Sequence, residues 1–176
     1  MNLPNAITIG RIALVPVFWV LAFKDSAGAT AAALIVFIVA SLSDFVDGYI
    51  ARRDGKISRA GQFLDPTADK LLVGAALIAL VGTREFPLWA AAVIVFREVA
   101  VTLLRMQIVR GGGDLPASNA AKLKTVTQIG MVGWWLLPWA STNAGHWILL
   151  VLGLITTLWS GAQYFLVARK PEQVSA

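Results

Sequence analysis

The chain contains no cysteine, one histidine and two tyrosines. Without cysteine, disulfides, thiolate metal sites and cysteine nucleophiles are all excluded. Charge is scarce too: Asp, Glu, Lys and Arg make up 14% of the 176 residues, against roughly 25% in an ordinary soluble domain. What fills the chain instead is apolar: 57% of residues are hydrophobic and the mean hydropathy is +0.71. A water-soluble domain of this size leaves too much surface exposed to hide that much apolar side chain. The natural solvent is a bilayer, and the expected class is an all-α integral membrane protein forming a single domain over residues 1–176. The N-terminal run "MNLPNAITIGRIALVPVF" lacks the basic, apolar and small-residue order of a cleaved signal peptide, and is expected to be part of the mature protein.

Six apolar segments near the ~20-residue length of a spanning helix follow one another: Ala6 to Phe23, Ala29 to Ile50, Phe63 to Val81, Leu88 to Val109, Ala120 to Ala140 and Trp147 to Ala168. Between them lie "KDSAGAT", "ARRDGKISRAG", "GTREFP", "RGGGDLPASN" and "STNAGH", rich in turn-forming or charged residues. Pro4 suits the first turn of the opening helix, with Asn2 as its cap. Pro116, Ser118 and Asn119 mark the start of the fifth.

Basic residues are distributed unevenly. Arg52, Arg53, Lys56 and Arg59 follow the second segment; Arg105, Arg110, Lys122 and Lys124 surround the fourth-to-fifth connection; Arg169 and Lys170 follow the sixth, and Arg11 lies in the first. The intervening connections hold Lys24 and Arg84, each beside an acid, and His146. With six spans, every basic-rich end falls on one side, so both termini are expected in the cytoplasm of a multi-pass plasma-membrane protein. The net charge of +5 then belongs to helix ends facing anionic headgroups, and no nucleic-acid partner is expected. Trp134, Trp135, Trp139 and Trp147 crowd the fifth-to-sixth connection, as an interfacial aromatic belt would. His146 is expected in the same outer interface. "RGGGD" lacks the lysine and hydroxyl residue of a phosphate loop and is expected to be a flexible connection. No internal repeat is evident.

Against this background, the run from Ser43 to Lys70, "SDFVDGYIARRDGKISRAGQFLDPTADK", holds four aspartates. On a helix, residues three or four apart share a face. Asp44 and Asp47 stand three apart, with Gly48 and Ala51 on their stripe; Asp65 and Asp69 stand four apart, with Gly61 one turn earlier. Four carboxylates facing one another repel and resist ionisation. Divalent cations with a preference for hard oxygen ligands, Mg²⁺, Mn²⁺ or Ca²⁺, resolve the conflict. Two such ions about 3.5–4 Å apart are the usual clamp for phosphoryl displacement. Gly48, Gly61 and Ala51 leave room for a ligand to approach the backbone, and Arg52 offers a planar, permanently charged fork for phosphate. Helix capping at an interface explains one or two of the aspartates, but not four on two matching stripes.

The residues Asp44, Asp47, Gly48, Ala51, Arg52, Gly61, Asp65 and Asp69 fit D-x2-D-G-x2-A-R-x8-G-x3-D-x3-D with every spacing intact. From average residue usage, eight fixed positions coincide at a given start on the order of once in 10⁹ or less. The pattern resembles the signature of the CDP-alcohol phosphatidyltransferases. "NLPNAITIGRIALVPVF", "GQFLDPTADKLL", "FREVAVTLLR", "AKLKTVTQ" and "TTLWSGAQYFLVAR" extend the likeness over nearly the whole chain, toward members that use glycerol 3-phosphate as acceptor. Ala121 departs from the glycine such members commonly carry before the lysine.

The resemblance implies transfer of a phosphatidyl group from CDP-diacylglycerol to glycerol 3-phosphate with release of CMP. It implies two divalent cations, Mg²⁺ or Mn²⁺, on Asp44, Asp47 and Asp65 with help from Asp69, which also serves as general base. Gly48, Ala51, Arg52 and Gly61 would form the CDP pocket, bordered by Asn5, Thr8 and Arg11, which share a stripe of the first helix. A homodimer among membrane lipids, with its site facing the cytoplasm, is also implied. An acceptor that carries its own phosphate needs further cations. Arg105, Lys122, Lys124 and Thr125 are the candidates, the last three near a helix N-terminus that itself favours an anion. Arg97, eight residues before Arg105 and expected near the same face of the fourth helix, is either a fifth member or a structural partner of Glu98 or of carboxylates near Asp44. The shared motif leaves open a sister transferase that takes phosphatidylglycerol or an inositol phosphate. An ion or proton transporter is the alternative from another class, since carboxylates within spans often mark transport pathways; the loop-proximal aspartates and the neighbouring glycines argue against it.

Overall fold

A computed structural model describes residues 3–54, 59–111, 119–138 and 143–169, with side chains described at 6–43, 67–111, 119–138 and 143–169. Among these residues the fold is entirely helical: α1 (Leu3–Ala22), α2 (Ala27–Asp54), α3 (Arg59–Thr83), α4 (Leu88–Arg110), α5 (Asn119–Trp135) and α6 (Ala144–Ala168). Six helices fall where six apolar segments stand. Pro4 lies in the first turn of α1, and Asn119 opens α5, as expected of each; the proposed Asn2 cap lies outside the described residues.

Several boundaries differ from the sequence expectation: α1 begins at Leu3 rather than Ala6 and α3 at Arg59 rather than Phe63, and three further shifts have a local cause. α2 runs past Ile50 to Asp54, because Ala51, Arg52 and Arg53 are competent helix formers and the next residue is Gly55. α5 stops at Trp135 rather than Ala140. Pro138 forbids helical geometry at the residue before it, and the chain closes in a turn with Leu137 N–H on the Trp134 carbonyl at 3.2 Å. α6 begins earlier, at Ala144. Asn143 caps it, accepting from Gly145 N–H at 2.9 Å, with His146 reaching back to the Asn143 N–H at 3.4 Å.

The helices form two compact units. The first comprises α1, α2, α3 and the end of α5 from Val132; the second comprises α4, α5 through Met131, and α6. In the first, Phe18, Ala33, Phe37, Ala40, Ala68, Leu72, Ala76, Leu77 and Leu80 are buried. Alternating aromatic and alanine positions let helix axes approach closely; Phe18 and Phe37 meet at 6.1 Å between ring centroids. Trp135 is also inside, its ring edge-on to Phe86 at 4.9 Å. This corrects the aromatic-belt expectation for that residue, while Trp134 and Trp147 are exposed and Trp139 lies outside the described residues. In the second unit Val101 and Tyr164 form a small core packed against Leu104, Ile108, Ala121 and Val167. His146 is buried in the first turn of α6, not in an exposed loop, because its imidazole completes the cap.

The outward faces carry many large apolar side chains. Phe96, Leu88, Val20, Ile35 and Leu166 are each at least 60% exposed, amid many other exposed large hydrophobics. α6, with 25 residues, is long and apolar enough to cross a bilayer; Ala6–Ala22 and Ala27–Ser43 are shorter apolar stretches.

Candidate active site

The eight motif residues lie on two helices of the first unit. Asp44, Asp47, Gly48, Ala51 and Arg52 occupy the C-terminal half of α2, and Gly61, Asp65 and Asp69 the beginning of α3. The backbone is helical at all eight, so each aspartate pair shares a helix face. The side chains of Asn5, Asp44, Asp47, Gly48, Ala51, Arg52, Gly61 and Asp65 lie outside the described ones. Asp69 is half-buried.

Packing brings the two halves of the motif to one end of the unit. α2 runs antiparallel to α1: Arg11 donates from Nε to Ser43 Oγ at 3.3 Å, and Phe18, two turns further along α1, meets Phe37, earlier in α2. α3 runs with α1 instead. Trp19 donates from Nε1 to the Ala75 carbonyl at 3.2 Å, and Phe23 lies against Gly82. Counting back from Trp19 to Arg11 along α1 leads from Ala75 to the stretch of α3 that carries Asp65 and Asp69. Arg11, Ser43, the adjacent Asp44 and the start of α3 are therefore level with one another. Thr8 and Arg11 are fully buried on α1 at this level. Ser43 also donates to the Ala40 carbonyl at 2.7 Å, which fixes the hydroxyl that receives Arg11. Among the described side chains no three of His, Cys, Asp or Glu gather as a metal site; three of the four motif aspartates are outside that set.

The expected acceptor residues, all in the second unit, divide into two kinds. Arg105 and Lys122 are exposed and form no ion pair among the described residues. Arg97 and Lys124 are buried, and both engage Glu98: Arg97 at 3.0 Å and Lys124 at 2.6 Å. Arg97 and Arg105 do not share a face, because eight residues advance a helix by 80° beyond two full turns. The buried stripe continues instead through Val101, Leu104 and Ile108. Thr125 turns its hydroxyl to the Ala121 carbonyl of its own helix at 3.1 Å.

Glu98 is the residue whose importance the sequence understated. It showed there only as a neighbour of Arg97. The signal available was its position: a carboxylate in the middle of an apolar helix, which burial tolerates only with a partner.

Comparison with known proteins places these observations. The sequence model of the family described as CDP-alcohol phosphatidyltransferase matches residues 1–159. A CDP-diacylglycerol–glycerol-3-phosphate 3-phosphatidyltransferase of Bacillus subtilis (strain 168) is 45% identical over 141 residues, covering 73% of this chain and 72% of the relative. A probable phosphatidylglycerophosphate synthase of Mycobacterium tuberculosis (strain CDC 1551 / Oshkosh) is 35% identical, covering 93% of this chain and 79% of the relative. A protein of Rickettsia bellii (strain RML369-C) with the same name as the Bacillus relative is 34% identical, covering 96% of each chain. With the family matched over most of its length and its eight signature residues set at one end of a three-helix packing, this chain belongs to the CDP-alcohol phosphatidyltransferase family.

Proposed function

We propose that the protein is an integral membrane enzyme that transfers the phosphatidyl group of CDP-diacylglycerol to glycerol 3-phosphate and releases CMP. One observation carries the reading: the complete eight-residue motif lies on α2 and α3 with its two aspartate stretches level, in a chain whose similar relatives bear that activity in their names. The apolar outer faces support membrane integration, since a water-soluble surface rarely shows apolar patches beyond a few hundred Å². Six spans with both termini and the motif in the cytoplasm follow from the placement of the basic residues. The protein acts as a homodimer in this reading.

The donor set suits divalent cations. Four carboxylates and no nitrogen or sulfur ligand in the motif match hard ions such as Mg²⁺ or Mn²⁺. Asp44, Asp47, Asp65 and Asp69 would hold two of them, supplying positive charge to the pyrophosphate and to the phosphate that leaves. Gly48, Ala51 and Gly61 leave space for the nucleotide, Asn5 and Thr8 border it, and Arg52 takes a phosphate oxygen. The Asp69 carboxylate accepts the proton of the acceptor's primary hydroxyl. That oxygen bonds to the phosphorus carrying diacylglycerol as the bond from this phosphorus to the CMP oxygen breaks, and the electron pair leaves with CMP. Lys122, Lys124, Thr125 and Arg105, with Arg97 behind them, serve the phosphate of the acceptor.

The test is CMP release by purified protein in detergent with CDP-diacylglycerol and Mg²⁺ or Mn²⁺, acceptor by acceptor. Stimulation by glycerol 3-phosphate is expected, with a fall of about 100-fold or more in folded Asp69→Asn. Stimulation only by phosphatidylglycerol or an inositol phosphate would replace the acceptor, and no release with any acceptor would overturn the reading.

A further inference from the structure

A polar seam crosses the second unit where α4, α5 and α6 meet. Arg97, 8% exposed, is held at three points. Its Nε donates to the Thr157 carbonyl at 3.2 Å, one terminal nitrogen to Ser160 Oγ, and the other to Glu98 Oε1 at 3.0 Å. Gly161 makes this possible, because a side chain there would press on Arg97 Cγ at 3.2 Å. Gln128 donates to Thr157 Oγ1 at 3.1 Å, and the hydroxyls of Thr127 and Thr156 lie 2.7 Å apart.

Lys124, 6% exposed, joins the seam differently. Its Nζ meets the same Glu98 oxygen that Arg97 uses, and that is its one ion pair among the described residues. An ammonium carries three donors, so among the described residues two N–H groups of a nearly buried cation remain for a ligand. Among the described residues the charges also fail to cancel, since two cations share one carboxylate. Arg97 is spent on α6 and Glu98; the unbalanced positive charge rests at Lys124. Burying a cation in this state is costly unless an anion completes it.

We propose that Glu98 is a positioning residue: fixed from one side by Arg97, it holds the Lys124 ammonium so that its two remaining N–H groups receive a phosphomonoester dianion. This rests on the reading that glycerol 3-phosphate is the acceptor, and it goes further by naming which of the candidate cations binds the phosphate and what aims it. Glu98 touches no substrate. It acts through Lys124, so removing the carboxylate weakens acceptor binding and leaves the CDP-diacylglycerol half of the reaction alone.

Steady-state kinetics of wild type, Glu98→Gln, Lys124→Gln and the double variant decide the matter, with thermal unfolding of each measured in the same detergent. Glu98→Gln is expected to raise KM for glycerol 3-phosphate about tenfold, the scale of one charged hydrogen bond, with KM for CDP-diacylglycerol within twofold of wild type. The double variant should be no worse than Lys124→Gln, because coupled residues are non-additive. An unchanged KM for glycerol 3-phosphate in Glu98→Gln, an equal rise for both substrates, or additive effects in the double variant would each overturn the inference. If Glu98→Gln does not fold, Glu98→Asp is judged by the same selective rise. Should wild type release no CMP with glycerol 3-phosphate, the functional reading has failed, and calorimetry with inorganic phosphate decides this inference. Weaker binding in Glu98→Gln than in wild type sustains it, and equal binding or none sinks it.

Discussion

Replacing Gly161 by alanine sets two effects of known sign against each other. Alanine in a helix interior is favoured over glycine by about 1 kcal/mol, so the substitution stabilises α6 if nothing opposes it. The added Cβ, however, would lie 3.2 Å from Arg97 Cγ and 3.3 Å from its Nε. The arginine must retreat by a few tenths of an ångström, yet its guanidinium is tied to Thr157, Ser160 and Glu98. Hydrogen bonds of a charged group are worth about 1.5–3 kcal/mol, and stretching one outweighs the helical gain. The expected net loss is about 1 kcal/mol, a fall of roughly 2–4 °C in Tm for a chain of this size.

Two further glycines isolate the contact. Gly130 in α5 has nothing within 4 Å of the added carbon, so Gly130→Ala should raise Tm by about the same 2–4 °C. Gly153 in α6 would meet Met131 Sδ at 3.0 Å, a flexible thioether able to rotate aside, so Gly153→Ala should stay near wild type. Thermal unfolding of all three, followed by circular dichroism in one detergent, gives the ranking. Gly161→Ala as stable as Gly130→Ala would refute the argument that Arg97 is immobilised.

Glu85 adopts a left-handed backbone with φ of 53°, exposed in the turn between α3 and α4; Glu85→Gly should raise Tm by a few degrees, relieving a strain of about 1–2 kcal/mol less the entropy glycine adds to the unfolded chain. Arg84 donates to the buried Thr30 hydroxyl, and its Nε has no hydrogen-bond partner. Thr30→Val should therefore cost about 1–3 kcal/mol, read as a lower unfolding midpoint, and an unchanged midpoint would show that solvent replaces the hydroxyl. A chelator should abolish CMP release, with recovery on adding Mg²⁺ or Mn²⁺; release that persists after exhaustive chelation would rule out the two-cation reading of the aspartates.

Much of the fold was legible because its signals are local. Helix number followed from apolar runs punctuated by Gly, Pro and charged residues, and the pairing of Asp44 with Asp47 and of Asp65 with Asp69 followed from the 3.6-residue period alone. Helix ends were less legible, since Pro138 and the Asn143–His146 cap act through backbone geometry that hydropathy does not register. Away from the aspartate stripes, which face of a helix turns inward could not be read. A helix that is apolar all round offers no polar side to mark the outside, so Trp135 and Trp134 look alike in sequence while one is buried and the other exposed.

The amino-acid order by itself determined the family and the helical class, because these depend on residue type and short spacing along a chain of fixed geometry. Only the tertiary structure decided that Arg11 meets Ser43, that Arg97 and Lys124 share Glu98 while Arg105 and Lys122 stay exposed, and that His146 is interior. The meetings of Arg11 with Ser43 and of Lys124 with Glu98 join residues far apart in sequence. Burying a charge forces it to find a partner, but which partner depends on how the helices pack.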